Sequence, residues 1–287
     1  AGTVLAGAGL GVVGVLLPGI VKRDFPRHAG LMTGVITASM VGGAAAGSGF
    51  TVPLADWLGG WQNALMAWSV PVLLAVLVWA PQVALHSDRP RDTTPPASLW
   101  RDPLAWQVTL FMGLQSGMGH MAMSWLPVIL EDFGLEAAQA GYVSSVSIVF
   151  QMVTALVVPA IAARQTDQRL TVAVVVLLST AGIIGLIFLP AWLMWPSAIL
   201  LGFGLGGCFA AGLTLIVLRA RDGRMAAELS AMAQSAGYAV AALGPFMIGF
   251  LHDVSGGWSV PGLFYVAVTF MALAAGLGAG RARHVGE

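Results

Sequence analysis

Three runs of polar side chains recur at helical spacing inside otherwise apolar sequence, and these residues are the best suited to chemistry. Ser116, His120 and Ser124 lie four apart, with Gln115 adjacent. Ser144, Ser147, Gln151 and Thr154 follow a three-four-three spacing, and Ser230, Gln234 and Tyr238 are again four apart. Each set falls on one face of a helix. Thr33 and Thr37 form a shorter pair, and Trp125 adds an aromatic surface beside Ser124. Neutral donors and acceptors at such depth suit a small polar or singly charged solute whose hydration must be replaced. His120 stands apart, because an ionisable group at a helix centre in a membrane costs about 2.5 kcal/mol or more and is a functional candidate by default. Its role is open between proton carrier, substrate ligand and neutral imidazole satisfied by Ser116 or Ser124. Ser and Thr often bond only their own i−4 carbonyl. Gln is costlier to bury, so Gln115, Gln151 and Gln234 are stronger cavity candidates, the alternative being bonds between helices.

Other chemistries find no support in the sequence. There is no HExxH metal motif, no GxxxxGK[ST] phosphate loop and no acid within an apolar run. An enzyme is therefore not expected, nor direct drive by ATP, nor a cofactor or bound metal. A formal net charge of zero offers no basic patch to nucleic acid. The single cysteine, Cys208, excludes an intramolecular disulfide, and within an apolar run it reads as a packing residue.

The elements that must position these residues are membrane helices. Hydrophobic residues make up 57% of the 287 and charged ones only 9%, against about 25% in a soluble domain. The chain holds 37 glycines, which membrane helices use for close packing. Nine continuously apolar segments are long enough to span: 1–20, 29–52, 63–85, 105–130, 138–162, 170–189, 193–218, 227–250 and 261–280. Continuous rather than alternating hydrophobicity implies helices, not a barrel. The spacings Gly7/Gly11, Gly30/Gly34, Gly43/Gly47 and Gly202/Gly206 read as close-packing seams. Ala1 starts within an apolar run with no basic stretch before it, which reads as a fragment lacking an N-terminal part rather than as a signal peptide.

Lys and Arg set the orientation. All 13 fall in alternate connections: Lys22, Arg23 and Arg27; Arg89, Arg91 and Arg101; Arg164 and Arg169; Arg219, Arg221 and Arg224; Arg281 and Arg283. The bias places the C-terminus in the cytoplasm. The proline-rich stretch 86–102 is the longest polar connection and reads as a cytoplasmic linker between a bundle over 1–85 and another over 103–287. A repeat supports that division. Asp56-Trp-Leu-Gly-Gly-Trp61 recurs as Asp253-Val-Ser-Gly-Gly-Trp258, and the same offset places Gly47 on Gly244, Arg27 on Arg224 and Lys22 on Arg219. Asp56 and Asp253 are expected to cap or turn their loops, and Glu228 to be a helix-start charge. Six helices between equivalent positions give parallel halves, the arrangement of major facilitator transporters.

Several stretches carry a closer resemblance: Val15-Leu-Leu-Pro-Gly-Ile-Val-Lys-Arg-Asp-Phe-Pro26 with Leu31-Met-Thr-Gly34, Gly113-Leu-Gln-Ser116 with Trp125-Leu-Pro127, Asp167-Gln-Arg169, and Leu229-Ser-Ala-Met-Ala-Gln234 with Leu243-Gly-Pro245 and His252-Asp253. Together they resemble the cyanate/2-nitroimidazole transporter family of the major facilitator superfamily, over essentially the whole chain. The resemblance implies a secondary transporter of a small organic solute or anion, working by alternating access and open to proton coupling. It implies helices four to twelve of twelve, in an all-helical membrane bundle at the plasma membrane, as a monomer. The cavity would be lined by Gln115, Ser116, His120, Trp125, Gln151, Gln234 and Tyr238, with Thr37 from the other half. Arg164-Gln-Thr-Asp-Gln-Arg169 resembles the superfamily's loop charge motif, in which Arg164, Asp167 and Arg169 would gate by latching neighbouring helices. Gly119 and His120 depart from the aromatic pair common in the family, which makes His120 a point of individual specificity. A non-transporting sensor or membrane subunit is the main rival, and a membrane-embedded enzyme a weaker one.

Overall fold

The computed structural model describes residues 2–84 and 99–286, so all but the last four residues of the expected linker at 86–102 lie outside the described residues. Among the described residues every regular element is helical: α1 (Gly2–Asp24), α2 (Ala29–Leu58), α3 (Trp61–Ala67), α4 (Ser69–Ala84), α5 (Pro103–Asp132), α6 (Ala137–Ala162), α7 (Arg169–Phe188), α8 (Met194–Arg219), α9 (Gly223–Ala241), α10 (Leu243–Ser255) and α11 (Ser259–Ala279). Short 3-10 turns stand at Pro26–His28, Leu99–Arg101 and Ala191–Leu193.

Among the described residues the nine apolar segments are helical, but two of them are interrupted, at Trp68 between α3 and α4 and at Ala242 between α9 and α10. Each interruption precedes a proline by three residues, Pro71 and Pro245. A proline has no N–H for the carbonyl four residues before it, here Ala67 and Ala241. The second break is slight, since Ala242 keeps φ −61° and ψ −26° and its N–H still bonds the Tyr238 carbonyl at 3.0 Å.

Among the described residues seven helical stretches are long and apolar enough to cross a membrane, and neither α1 nor α5 is one of them. The expected span 105–130 therefore needs correcting on hydropathy: its Gln, Ser and His residues dilute it. At 30 residues α5 is still about 45 Å long. Its environment explains the composition, because α5 packs against α6, α8, α9, α10 and α11, and Phe111 to Met118 are all buried. A helix so enclosed faces other helices more than lipid and need not be apolar all round. Its start is firmly capped: Pro103 takes the first helical position, and the Asp102 carboxylate accepts from the N–H of Leu104 at 2.7 Å and Ala105 at 3.2 Å.

Close approach of backbones builds the rest. A side chain at Gly202 or Gly206 would strike the Ser147 or Gln151 carbonyl, joining α8 to α6, and Gly182 and Gly204 similarly join α7 and α8. Gly30 and Gly34 bring the first turns of α2 onto Pro159 and Leu156 of α6, and Gly19 meets Gly223 between α1 and α9. At Gly7, Gly11, Gly43 and Gly47 a methyl group would find nothing within 4 Å, so those two pairs form no seam among the described residues. By contacts the chain forms two compact units, Ala1–Ser39 with Ala97–Glu287, and Met40–Pro96. The repeated Asp-to-Trp motif has a shared local reason: Gly59 (φ 76°) and Gly256 (φ 68°) hold the left-handed backbone that ends each helix. The aspartates are not the caps.

Candidate functional site

The polar stripes of α5 and α9 meet where the two helices touch. Gly113 and Gly237 face each other so closely that a methyl group on Gly113 would lie 2.6 Å from the Gly237 carbonyl. This contact sets Ser116 beside Tyr238, with the tyrosine hydroxyl near the Ser116 side chain. Gln115 is buried and turns its amide inward, donating to the Met112 carbonyl at 3.1 Å and to Ser116 Oγ at 2.9 Å. One turn on, His120 Nδ1 lies 2.7 Å from the Ser116 backbone carbonyl. A carbonyl only accepts, so Nδ1 carries the proton and donates. His120 itself is exposed, as are Met123 and Ser124 on the same face, and Tyr238 is 38% exposed. Of the two ring nitrogens one is satisfied, by the Ser116 backbone carbonyl rather than by a Ser116 or Ser124 hydroxyl, and Nε2 makes no hydrogen bond among the described residues.

Gln234 extends the polar file toward α1. Its amide donates to the Gly14 carbonyl at 2.7 Å and to Ser230 Oγ at 2.8 Å, so it binds α9 to α1. The other predicted residues are not joined to this group. Gln151 is half-buried on α6 with no side-chain hydrogen bond among the described residues, while Thr154 and Ser144 bond carbonyls of their own helix. Thr37 is fully buried and donates to the Thr33 carbonyl at 2.7 Å. Trp125 is a packing pillar: its indole N–H donates to the Pro245 carbonyl at 2.9 Å, and its ring lies against Gly249 and 5.8 Å from Trp258.

At the basic end of the bundle the structure shows a knot that residue spacing did not reveal. Arg219 is only 4% exposed. Its guanidinium donates to the carbonyls of Ala279 at 2.9 Å and of Gly280 and Arg283 at 3.3 Å, and to the Gln168 side-chain oxygen. Gln168, 3% exposed, donates in turn to the Ala162 carbonyl at 3.1 Å, and its backbone N–H bonds Gly280 at 2.9 Å. One planar fork thereby ties the ends of α6, α7, α8 and α11. Asp167, by contrast, accepts from the Arg169 backbone N–H at 2.9 Å and pairs with the Arg169 guanidinium at 3.4 Å in an exposed bridge, while Arg164 is exposed. Such surface pairs are worth about 0–1 kcal/mol. The only sequence hint of the knot was the repeat that set Arg219 opposite Lys22. Lys22 is itself half-buried at the α1–α9 contact, where burial lowers its pKa and the nearby Asp222 carboxylate partly restores it.

Comparison with known proteins places these features. Residues 1–245 match the Major Facilitator Superfamily model. The chain is 42% identical to a 2-nitroimidazole transporter of Escherichia coli (strain K12), covering 99% of this chain and 73% of that protein. It is 29% identical to the cyanate transport protein CynX of the same organism, over 91% of this chain and 68% of that one. A crystal structure of FucP in the outward conformation superposes with a TM-score of 0.72 at 14% identity, covering 94% of this chain and 73% of FucP.

Proposed function

The chain belongs to the major facilitator superfamily and is a multi-pass secondary transporter, and from that premise we propose that it carries a small organic solute of the nitroimidazole- or cyanate-like class by alternating access. The observation that carries this reading is the open polar face on the α5–α9 contact. There His120 Nε2, unbonded among the described residues, and the 38% exposed Tyr238 face outward from helices whose neighbours are otherwise closely packed. Gln115 and Ser116 support that face from behind, Gln234 ties it to α1, and Gln151 and Thr37 are further cavity candidates on α6 and α2. The protein acts as a monomer in the plasma membrane, with its basic end and C-terminus in the cytoplasm. The segments 1–85 and 103–287 belong to opposite halves, joined by the linker at 86–102. The loop 164–169 gates at the cytoplasmic end, and a proton gradient is available as a driving force.

Reconstitution of the full-length protein into proteoliposomes tests the reading. Counterflow of a labelled nitroimidazole or of cyanate, accelerated by an imposed proton gradient, is the expected result. Binding without counterflow for either solute would instead identify a sensor, and neither binding nor flux would remove the solute class.

A further inference from the structure

The exposed side of the α5–α9 contact has a chemical polarity that narrows the solute. His120 donates from Nδ1 to the Ser116 carbonyl at 2.7 Å, which selects, for the neutral ring, the tautomer whose Nε2 is the acceptor. The bond also fixes the ring's direction, since the acceptor is helix backbone. Beside it, Gly119 leaves open space, with nothing within 4 Å of where a methyl would stand. Met123, 60% exposed one turn along, adds an apolar surface on the same face. The second polar atom is the Tyr238 hydroxyl, held near by Ser116. Lys and Arg are absent from the whole of α5, and the one basic residue of α9, Arg224, lies in its first turn, paired with Glu228 at 2.9 Å. A bare anion placed on this face would therefore meet the ring nitrogen and, on these two helices, no cation beyond Arg224 in the first turn of α9.

We infer that His120 Nε2 is a fixed hydrogen-bond acceptor for the ring N–H of a small neutral azole, which lies in the gap over Gly119 with Tyr238 as its second polar contact. The inference rests on the transport reading above and selects between its two solute classes: the neutral heterocycle over the cyanate-like anion. A ring N–H donor gains one directed hydrogen bond, worth about tenfold in affinity at most for a neutral pair. A methyl group on that nitrogen removes the donor and collides with His120.

Equilibrium binding of 4-nitroimidazole and 1-methyl-4-nitroimidazole to the purified full-length protein provides the test, with sodium cyanate as competitor. The expected result is tighter binding of the N–H compound by about tenfold, with weak displacement by cyanate. His120→Phe should reduce that preference to near unity, whereas His120→Gln, which retains an acceptor oxygen, should keep part of it. Tyr238→Phe should weaken both azoles alike. Ser235→Ala, an exposed α9 position whose hydroxyl bonds the Ala231 carbonyl, is the control, and all variants should elute as folded protein. Equal binding of the two azoles, or a preference that survives His120→Phe, overturns the inference while leaving the transport reading intact. Tighter binding of cyanate than of either azole does the same. Binding of no probe at all overturns both.

Discussion

Arg219 and Gln168 meet at the basic end of the bundle, the guanidinium donating to the amide oxygen while both side chains are almost wholly buried. Neither forms part of the polar stripes, yet together they join four helix ends. Arg219→Ala should lower the melting temperature in detergent and reduce uptake, because each hydrogen bond to a buried charged group contributes about 1.5–3 kcal/mol. Arg219→Lys should rescue little, since an ammonium cannot reproduce the planar fork. Arg219→Ala and Gln168→Ala combined should cost less than the sum of the two, and simple additivity would show that the residues act separately.

The opposite end has its own clasp. Trp258 donates to Asp132 Oδ2 at 2.9 Å, and His252 stacks on Trp258 at 4.1 Å while standing 3.8 Å from the same carboxylate. Trp258→Phe keeps the stacking but loses the bond from Trp258, at the start of α11, to α5, a loss of about 1 kcal/mol. Asp132→Ala should cost at least as much, and Asp253→Ala, whose carboxylate is 85% exposed, almost nothing. Thermal unfolding of the three variants checks the order.

Glycine substitutions should divide sharply by place. Gly206→Val drives a side chain into the Gln151 carbonyl and should destabilise by about 1–3 kcal/mol or more. Gly7→Ala and Gly43→Ala meet open space and should leave the melting temperature at or slightly above that of the parent. A large loss at either of the latter would mean that those faces are covered in the folded protein.

Lys22 should make stability depend on alkaline pH. Burial at the α1–α9 contact lowers its pKa below the ordinary lysine value of about 10.4, against the pull of Asp222. Between the two values the unfolded chain binds more protons than the folded one, so stability rises with pH through that window and levels off above about 10.4. Lys22→Met should therefore be the more stable protein near neutrality, with an advantage that shrinks as pH climbs. An advantage independent of pH would show that the charge is not the cause.

Cys208 is fully buried on α8, where a thiol is shielded from reagent and from the water that would ionise it. A charged maleimide should label it only after denaturation; labelling of the native protein would indicate an opening between α8 and its neighbours.

Much of this protein is legible in its residue order, because membrane helices announce themselves. A run of about 20 apolar residues must satisfy its own backbone, so length and hydropathy delimit helices without reference to any partner. Gly-xxx-Gly at 30/34 and 202/206, the left-handed glycines 59 and 256 and the stripe containing Ser116 and His120 are local in the same sense. Tertiary structure decided what is not local. The same spacing that predicts a seam at Gly202/Gly206 predicts one at Gly7/Gly11, and only the neighbouring α6 distinguishes them. Gln115, Gln151 and Gln234 look alike in sequence, yet one turns into its own helix, one makes no side-chain bond among the described residues and one bridges to α1. His120 could be placed on a helix face by counting, but which nitrogen is satisfied depends on one rotamer beside one carbonyl. Arg219 resembles any loop-edge arginine until the ends of α7 and α11 close over it. Periodicity states which side of a helix a residue occupies; what occupies the space opposite is a property of the whole fold.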